Sequence, residues 1–452
     1  MLDRTPENFI ALKNIEGQHV GIDLPLNQAH FPVPFYQGLE YPPPARGGWN
    51  IVHIGLTLPQ AHLIFVCPEG CLRGVVLSAA ELDLAQRFST IAVGEENVLE
   101  GDMEAQVIEG VSHIIEELPQ RPPAVLVYTS CIHQFLGSDI DLIYSQLRQR
   151  FPDIDFTDCY MFPIMRKSGP NPVEMMRQQL YSLLTPLPKD QMAVNIIGSD
   201  YPLPHDSDLY QLLTRHGFSV HEIGTCQDYA AYKQMAASSV NISILPSAIK
   251  AGELLAKNLG QTHVYLPLSF DYGEIEARLA KLCATLQVPY TPDKEAVAQA
   301  ESALKQAQAV IGQTPIAIDY SAGPRPLSLT RMLLTHGFNV TDVYADAFEV
   351  EEQADFDKLQ QLKPDLMIHP TEDVQMRVAS RKRSEKTLAI GQKAAYFTGS
   401  DYFVNIIEGD GMYGLSAITR LAHLMTAAFE TPKDTAALIP VKALNWGCSC
   451  VL

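Results

Sequence analysis

Two stretches of this chain, LLTRHGFSV at 212–220 and LLTHGFNV at 333–340, spell nearly the same local instruction. In each, an apolar helical pattern runs to a His, Gly217 or Gly337 takes a left-handed cap, and Phe-x-Val opens a strand. They sit at the same point of two longer segments, 192–224 and 315–344, that each read as strand, loop, helix and strand. A similar alternation comes earlier: HLIFVC, FSTIAV, AVLVYTSC and DIDFTDCY read as buried strands, with EAQVIEGVSHIIEEL and DIDLIYSQLRQRF as helices between them. Short apolar strands alternating with amphipathic helices require a parallel sheet covered on both faces.

The expected fold class is therefore α/β, with three Rossmann-like parallel-sheet domains in tandem. A length of 452 residues suits about three domains of roughly 150 residues each. The expected boundaries give an N-terminal arm with a first α/β domain at 1–190, a second domain at 191–292 and a third at 293–395. A C-terminal helical segment and Cys-containing tail, 396–452, would pack back on them. PDKEAVAQAESALKQAQAVIG reads as a linking helix at the start of the third domain. The Pro- and aromatic-rich stretch within 22–50 lacks periodicity and reads as an arm that wraps a surface or covers a subunit contact.

A net charge of -19 excludes a sequence-independent grip on nucleic acid, which needs clustered Lys and Arg to displace counterions. No apolar run reaches the roughly 18 residues of a membrane span, and the N-terminus lacks a basic-then-apolar signal segment. The expectation is a cytoplasmic protein acting on a small molecule or another protein. The eight cysteines then read as thiols, some of them metal ligands, in preference to disulfides.

In parallel sheets, ligands gather at the carboxyl ends of the strands. Cys67 and Cys71 in FVCPEGCLRGV, Cys131 closing AVLVYTSC and Cys159 closing DIDFTDC all fall there. Converging thiolates suit iron-sulfur clusters. The plain alternative is a set of small buried apolar side chains, because free Cys is among the most buried residue types. Cys67 and Cys71 have three residues between them, not the two of a redox or zinc-knuckle CxxC.

These residues carry a resemblance. CPEGCLRGV resembles the Gly-Pro-x-Gly-Cys loop of nitrogenase component 1 subunits, and YTSCIHQFLGSDID resembles the family's next cysteine segment. NVLEGDMEAQVIEG, AGELLAKNLGQTHVYLPLSFDYGEIEARLAKL, DKLQQLKPDLMIHP and IIEGDGMYGLSAITRLAHLM are similar to further segments of that family, so the likeness covers most of the chain. It implies a subunit of a nitrogenase-like reductase, paired with a homologous subunit as a homodimer or heterotetramer. An iron-sulfur cluster, 4Fe-4S or a larger P-cluster-like one, would lie at their interface, fed with electrons by a separate ATP-hydrolysing iron-sulfur reductase. No Gly-x-x-x-x-Gly-Lys-Ser/Thr loop occurs here, which places ATP hydrolysis on that other chain. Carried over by motif, Cys71 and Cys131 fall on interface-cluster ligands. His133 and Asp139 are candidate proton donors to a small-molecule substrate, whose class within the family ranges from tetrapyrroles to small sulfur compounds.

The departures matter as much. The family's first cluster cysteine has no counterpart in ARGGWN, and Cys67 or Cys159 is the candidate to replace it. Two thiolates per chain would still supply four across a homodimer axis, enough for one 4Fe-4S cluster. The family's cofactor anchors, a second-domain Cys and a late His, are missing from SSVNISILPSA and IIEGDGMYG. That fits a second reading nearly as well: a scaffold for metal-cluster assembly, without turnover. A metal-free sugar- or nucleotide-binding protein leaves both cysteine loops unexplained, and neither IGSDYPLPHD nor YSAGPRPL is a GxGxxG loop. Cys226 and Cys283 read as core residues, Cys448 and Cys450 as a metal pair or a harmless tail, and MRVASRKRSEK (376–386) as a solvated basic face or a carboxylate grip.

Overall fold

The computed structural model describes residues 22–35, 43, 51–81, 84–161, 170–377 and 385–439. The ARGGWN stretch, the centre of the basic run (378–384), Cys448 and Cys450 lie outside the described residues. The strands, in chain order, are β1 (Leu24–Pro25), β2 (His62–Cys67), β3 (Phe88–Ala92), β4 (Ala124–Ser130) and β5 (Asp155–Met161). They continue with β6 (Asp190–Ile197), β7 (Ser219–Glu222), β8 (Ser238–Ser243) and β9 (Thr262–Tyr265). The last are β10 (Pro315–Asp319), β11 (Asn339–Tyr344), β12 (Met367–His369), β13 (Leu388–Ile390) and β14 (Phe403–Val404).

They form three sheets, ordered β3-β2-β4-β5, β7-β6-β8-β9 and β1-β12-β11-β10-β13-β14. Every pairing is parallel except β1 with β12, so the third sheet is mixed where the sequence reading expected parallel strands throughout. The reason is that β1 comes from the N-terminal arm and reaches the sheet without a crossover helix. The described residues fall into two compact units. One takes Gly48–His205 and Tyr210–Pro267, with the first two sheets; the other takes Met1–Gly47, Asp206–Leu209 and Leu268–Leu452, with the third.

In the first unit β2 and β4 are buried at every residue, as strands covered on both faces must be. Their pleat sends Ile64, Val66, Val125 and Val127 to one side, where the helix Met103–Glu117 lays down Met103, Val107, Ile108, Val111 and Ile115 at helical spacing. Leu63, Phe65, Leu126 and Tyr128 face the other way, with the Phe65 and Tyr128 rings stacked at 3.9 Å. That second layer is shared with Ile197, Tyr232, Ala251 and Leu255 around the second sheet.

The twin motifs fold alike, although each lies beside a different sheet. Gly217 and Gly337 have φ of 82° and 79°. Phe218 donates its N–H to Leu213 O and Phe338 to Leu333 O, both at 3.1 Å, and each glycine N–H reaches the residue three before it. This is the Schellman closure, which the sequence spelled with Gly followed by an apolar residue.

The second unit is held by a buried guanidinium. Arg325, 2% exposed, donates to Glu274 (2.8 Å), Asp355 (2.9 Å), Leu268 O (3.1 Å) and Glu351 O (3.2 Å). Arg331 donates to the other Asp355 oxygen at 2.5 Å and to Asp271 at 2.9 Å. Among the described residues no helix is long and apolar enough to cross a membrane.

Removing one partner of a buried pair strands the other charge. Asp355→Ala is therefore expected to lower the unfolding free energy by about 3–5 kcal/mol in denaturant titration. Glu109→Ala breaks an ion pair whose side chains are largely exposed and should leave the midpoint unchanged; equal effects would contradict the ranking.

Candidate functional site

Parallel register decides what meets at the carboxyl edge of the first sheet. β2 and β4 are neighbours, with Val66 level with Thr129, so Cys67 comes level with Ser130 and Cys131 follows one residue beyond. β2 precedes both flanking strands in the chain, which makes the gap between β2 and β4 the point where the connections part in opposite directions. A doubly wound sheet opens a crevice there.

Pro68 ends β2, and the helix Glu69–Glu81 starts at once, with Cys71 in its first turn; the Cys71 N–H donates to Pro68 O at 2.8 Å. The helix Cys131–Phe135 likewise starts directly after β4. Cys67 is buried, Cys131 half-buried and Cys71 exposed. Burial pushes the Cys67 thiol up to about 12, and the neighbouring Cys71 and Cys131 add to the shift. Cys71 is also raised, first by burial and then by Cys131. The three sulfurs therefore feel one another. Among the described residues, however, no three His, Cys, Asp or Glu side chains are grouped to hold a metal ion. The described thiols by themselves do not surround one point.

Cys159 is placed differently. It lies in β5 level with Tyr128 of β4, fully buried in the core shared by the first two sheets. Burial, then Asp158, pushes its thiol well up, against a hydrogen bond from Tyr128. The thiols that act on Cys67 are Cys71 and Cys131, not Cys159. Cys283 is buried in the helix Tyr272–Leu286, and Cys226 is half-buried, its Sγ 3.3 Å from Glu222 O.

His133 is fully buried. Its Nδ1 accepts the Ser130 N–H at 3.2 Å, which puts the ring proton on Nε2, and Nε2 has no partner among the described residues. Burial holds its pKa below the usual imidazole value, so the ring is neutral and closed off from solvent. Asp139 is exposed and caps the helix Ile140–Arg150 by accepting the Leu142 N–H at 2.9 Å; its own N–H donates to Glu104 at 2.8 Å.

The sequence reading missed the exposed apolar side chains in the segments that follow β3 and β4. Leu99, after β3, is 86% exposed, Phe135, after Cys131, is 70% exposed, and Leu136 and Leu142 are exposed as well. The signal was the apolar pair inside the otherwise polar IHQFLGSD. Exposed carboxylates lie near them in the chain at Glu95, Glu96, Glu100, Asp139 and Asp141.

The other two switch points are closed by their own side chains. Beside the end of β6, buried Arg177 pairs with Asp200 at 2.8 Å and donates to Ser247 at 3.1 Å. Between β10 and β13, buried Asp319 accepts the N–H groups of Ser321 and Ala394, both at 2.7 Å. A Cβ at Gly391, φ 103°, would overlap that carboxylate. Lys393, fully buried, donates to Tyr320 Oη at 2.5 Å and Thr371 Oγ1 at 3.1 Å. Burial opposes its charge, yet Tyr320, Glu372 and Asp346 hold its pKa above the usual lysine value. At the start of the helix Pro326–Thr335, where a phosphate would sit, Glu352 already accepts the N–H groups of Leu327 and Ser328.

A family model described as nitrogenase component 1 type oxidoreductase matches residues 52–408. A solved structure described as "Nitrogenase Cp1 at pH 6.5" is similar at a TM-score of 0.65 and 14% identity, covering 87% of this chain and 94% of that one. Another, "Nitrogenase Cp1 at pH 5", gives a TM-score of 0.56 at 13% identity, covering 88% and 92%. At such identities the likeness is one of fold. No curated protein sequence matches.

Thiol labelling tests the placement. In metal-free protein at mildly alkaline pH, iodoacetamide should modify Cys71 first, while Cys67 and Cys159 resist until the chain is unfolded, as read by peptide mass spectrometry. Labelling of Cys159 as fast as Cys71 would contradict the geometry.

Proposed function

Because this chain belongs to the nitrogenase component 1 type oxidoreductase family, we propose that it is a subunit of a nitrogenase-like reductase whose Cys71 and Cys131 hold an iron-sulfur cluster at an interface with a homologous subunit. Cys67 is the third donor from this chain, and Cys159 stays in the core. The observation that supports this most is the meeting of Cys67, Cys71 and Cys131 at the first switch point, close enough for their charges to interact.

The donor set fits such a group. It is made of thiols and reaches the surface at Cys71, and we assign the remaining donors to the homologous subunit. When bound, the cluster supplies one-electron transfer. The chain's own part is to position the ligands and to give up protons. Cys67 and Cys71, whose thiols burial holds protonated, must lose those protons on binding iron, so loading weakens as pH falls. The Ser130 N–H and the His133 ring fix the start of the helix that carries Cys131. A buried neutral imidazole suits this positioning role better than exchange of protons with solvent. Asp139, exposed on the same edge, is the better placed proton donor of the two.

The exposed side chains of Leu99, Phe135 and Leu136, with exposed carboxylates near them in the chain, support docking of a protein with an apolar contact and a basic border. We assign that role to the ATP-hydrolysing iron-sulfur donor. The reduced substrate is a small molecule. The assembly-scaffold reading keeps the same cluster without turnover, and it is favoured by one observation: the switch points of the second and third sheets are filled by an internal ion pair and by internal hydrogen bonds.

Substrate-dependent ATP hydrolysis and electron consumption, measured anaerobically with the iron protein, separate the two. The reductase reading predicts turnover in the wild type. Phe135→Ala should raise the half-saturating iron-protein concentration about tenfold, the scale of a lost aromatic anchor, and added salt should weaken docking further. A cluster-loaded protein that consumes no ATP with any candidate substrate would leave the scaffold reading standing.

A further inference from the structure

The third sheet ends in a strand whose outer edge is covered by very little. β1 is two residues long, pairs Leu24 with Ile368 and Pro25 with Met367, and includes a proline that has no N–H to give the ladder. Just beyond it the arm adds Leu26 N–H to Leu366 O at 2.8 Å and Asn27 N–H to Pro364 O at 3.1 Å. Farther on it is anchored by apolar contact, with Leu26 buried and Phe31 packed on Phe356 at 5.4 Å. N-terminal to β1, among the described residues, Ile22 packs half-buried against the core that holds Tyr344 and Phe397, and the polar hold is a single side chain.

That side chain is His369, at the end of β12. Its Nδ1 lies 2.8 Å from Asp23 Oδ1 on the arm, and its Nε2 lies 2.7 Å from Asp342 Oδ1 on β11. Its ring stacks on Tyr344 at 4.5 Å. A carboxylate only accepts, so two such bonds need both ring nitrogens to donate, and only the imidazolium does that. The charged groups acting on the ring are Asp23 from the arm and Asp342 from β11; burial opposes the ring's charge, but the two carboxylates hold its pKa above the usual histidine value.

We infer that His369 is a protonation-dependent latch that holds Asp23, and with it the short strand β1, over the edge of the third sheet. When the ring loses its proton, one nitrogen turns a lone pair toward a carboxylate. The side chain of Asp342 is 7% exposed and fixed on β11, whereas Asp23 is 18% exposed on the arm, so Asp23 is the partner that leaves. The apolar anchors at Ile22 and from Leu26 onward stay, and the opening is confined to residues 23–25 and to the β12 edge they cover. A raised folded-state pKa stabilises the closed form fully below the unfolded histidine pKa, and that stabilisation is lost as pH rises through the raised value. The latch is thus closed at neutral pH and opens on the alkaline side, baring a strand edge able to pair with an extended segment.

Hydrogen exchange of the full chain by mass spectrometry, corrected for the intrinsic pH dependence of exchange, tests this. In the wild type, protection of peptides covering 22–27 and 366–369 should fall by up to tenfold per pH unit through one step, the slope of a single linked proton. His369→Gln should abolish the step. Asp23→Asn, a milder change on the arm, should move its midpoint to lower pH. Constant protection across the range, an unchanged step in His369→Gln, or an unmoved midpoint in Asp23→Asn would overturn the latch.

Discussion

The cluster site proposed for this protein depends on one pairing: β2 beside β4, parallel and in register. That pairing sends two successive chain turns to the same edge, one after Cys67 and one after Ser130, and the switch in connection direction keeps helices from closing the gap. Shifting the register by one residue would turn Cys67 to the opposite face and separate it from its neighbours. The full burial of both strands is what makes such a slip costly, because Ile64, Val66, Leu63 and Phe65 would exchange their core layers.

The three sheets share a plan but not an outcome at their carboxyl edges. The second and third spend their switch points on internal charge: Arg177 with Asp200, and Asp319 and Lys393 with the loops around them. Each is closed by hydrogen bonds, as buried polar groups must be. The first sheet instead has thiols at the switch point between β2 and β4, with exposed apolar side chains in the segments that follow its strands. Repetition of architecture therefore does not carry repetition of chemistry.

Much of this was legible in the sequence. The strands around HLIFVC and AVLVYTSC were readable because burial on both faces leaves continuous apolar runs, and the twin Gly-Phe caps because their geometry admits few other residues. Cys71 and Cys131 stood out because their loops place thiols at strand ends. Cys67 and Cys159 were equivalent on paper and became distinct only in three dimensions, where β5 turns Cys159 into the core beside Tyr128. The antiparallel β1 was hidden because a two-residue strand has no period. The His369 bridge was hidden because it joins Asp23 and Asp342, far apart in the chain.

The central claim is that thiols of this chain bind iron. It is tested most directly by purifying the wild type, Cys71→Ala and Cys131→Ala anaerobically, counting iron and sulfide, and recording EPR spectra of the reduced proteins. The account predicts iron and sulfide together in the wild type, with a cluster signal, and loss of most of both in each variant. A wild type without iron, or a full complement in both variants, would contradict it.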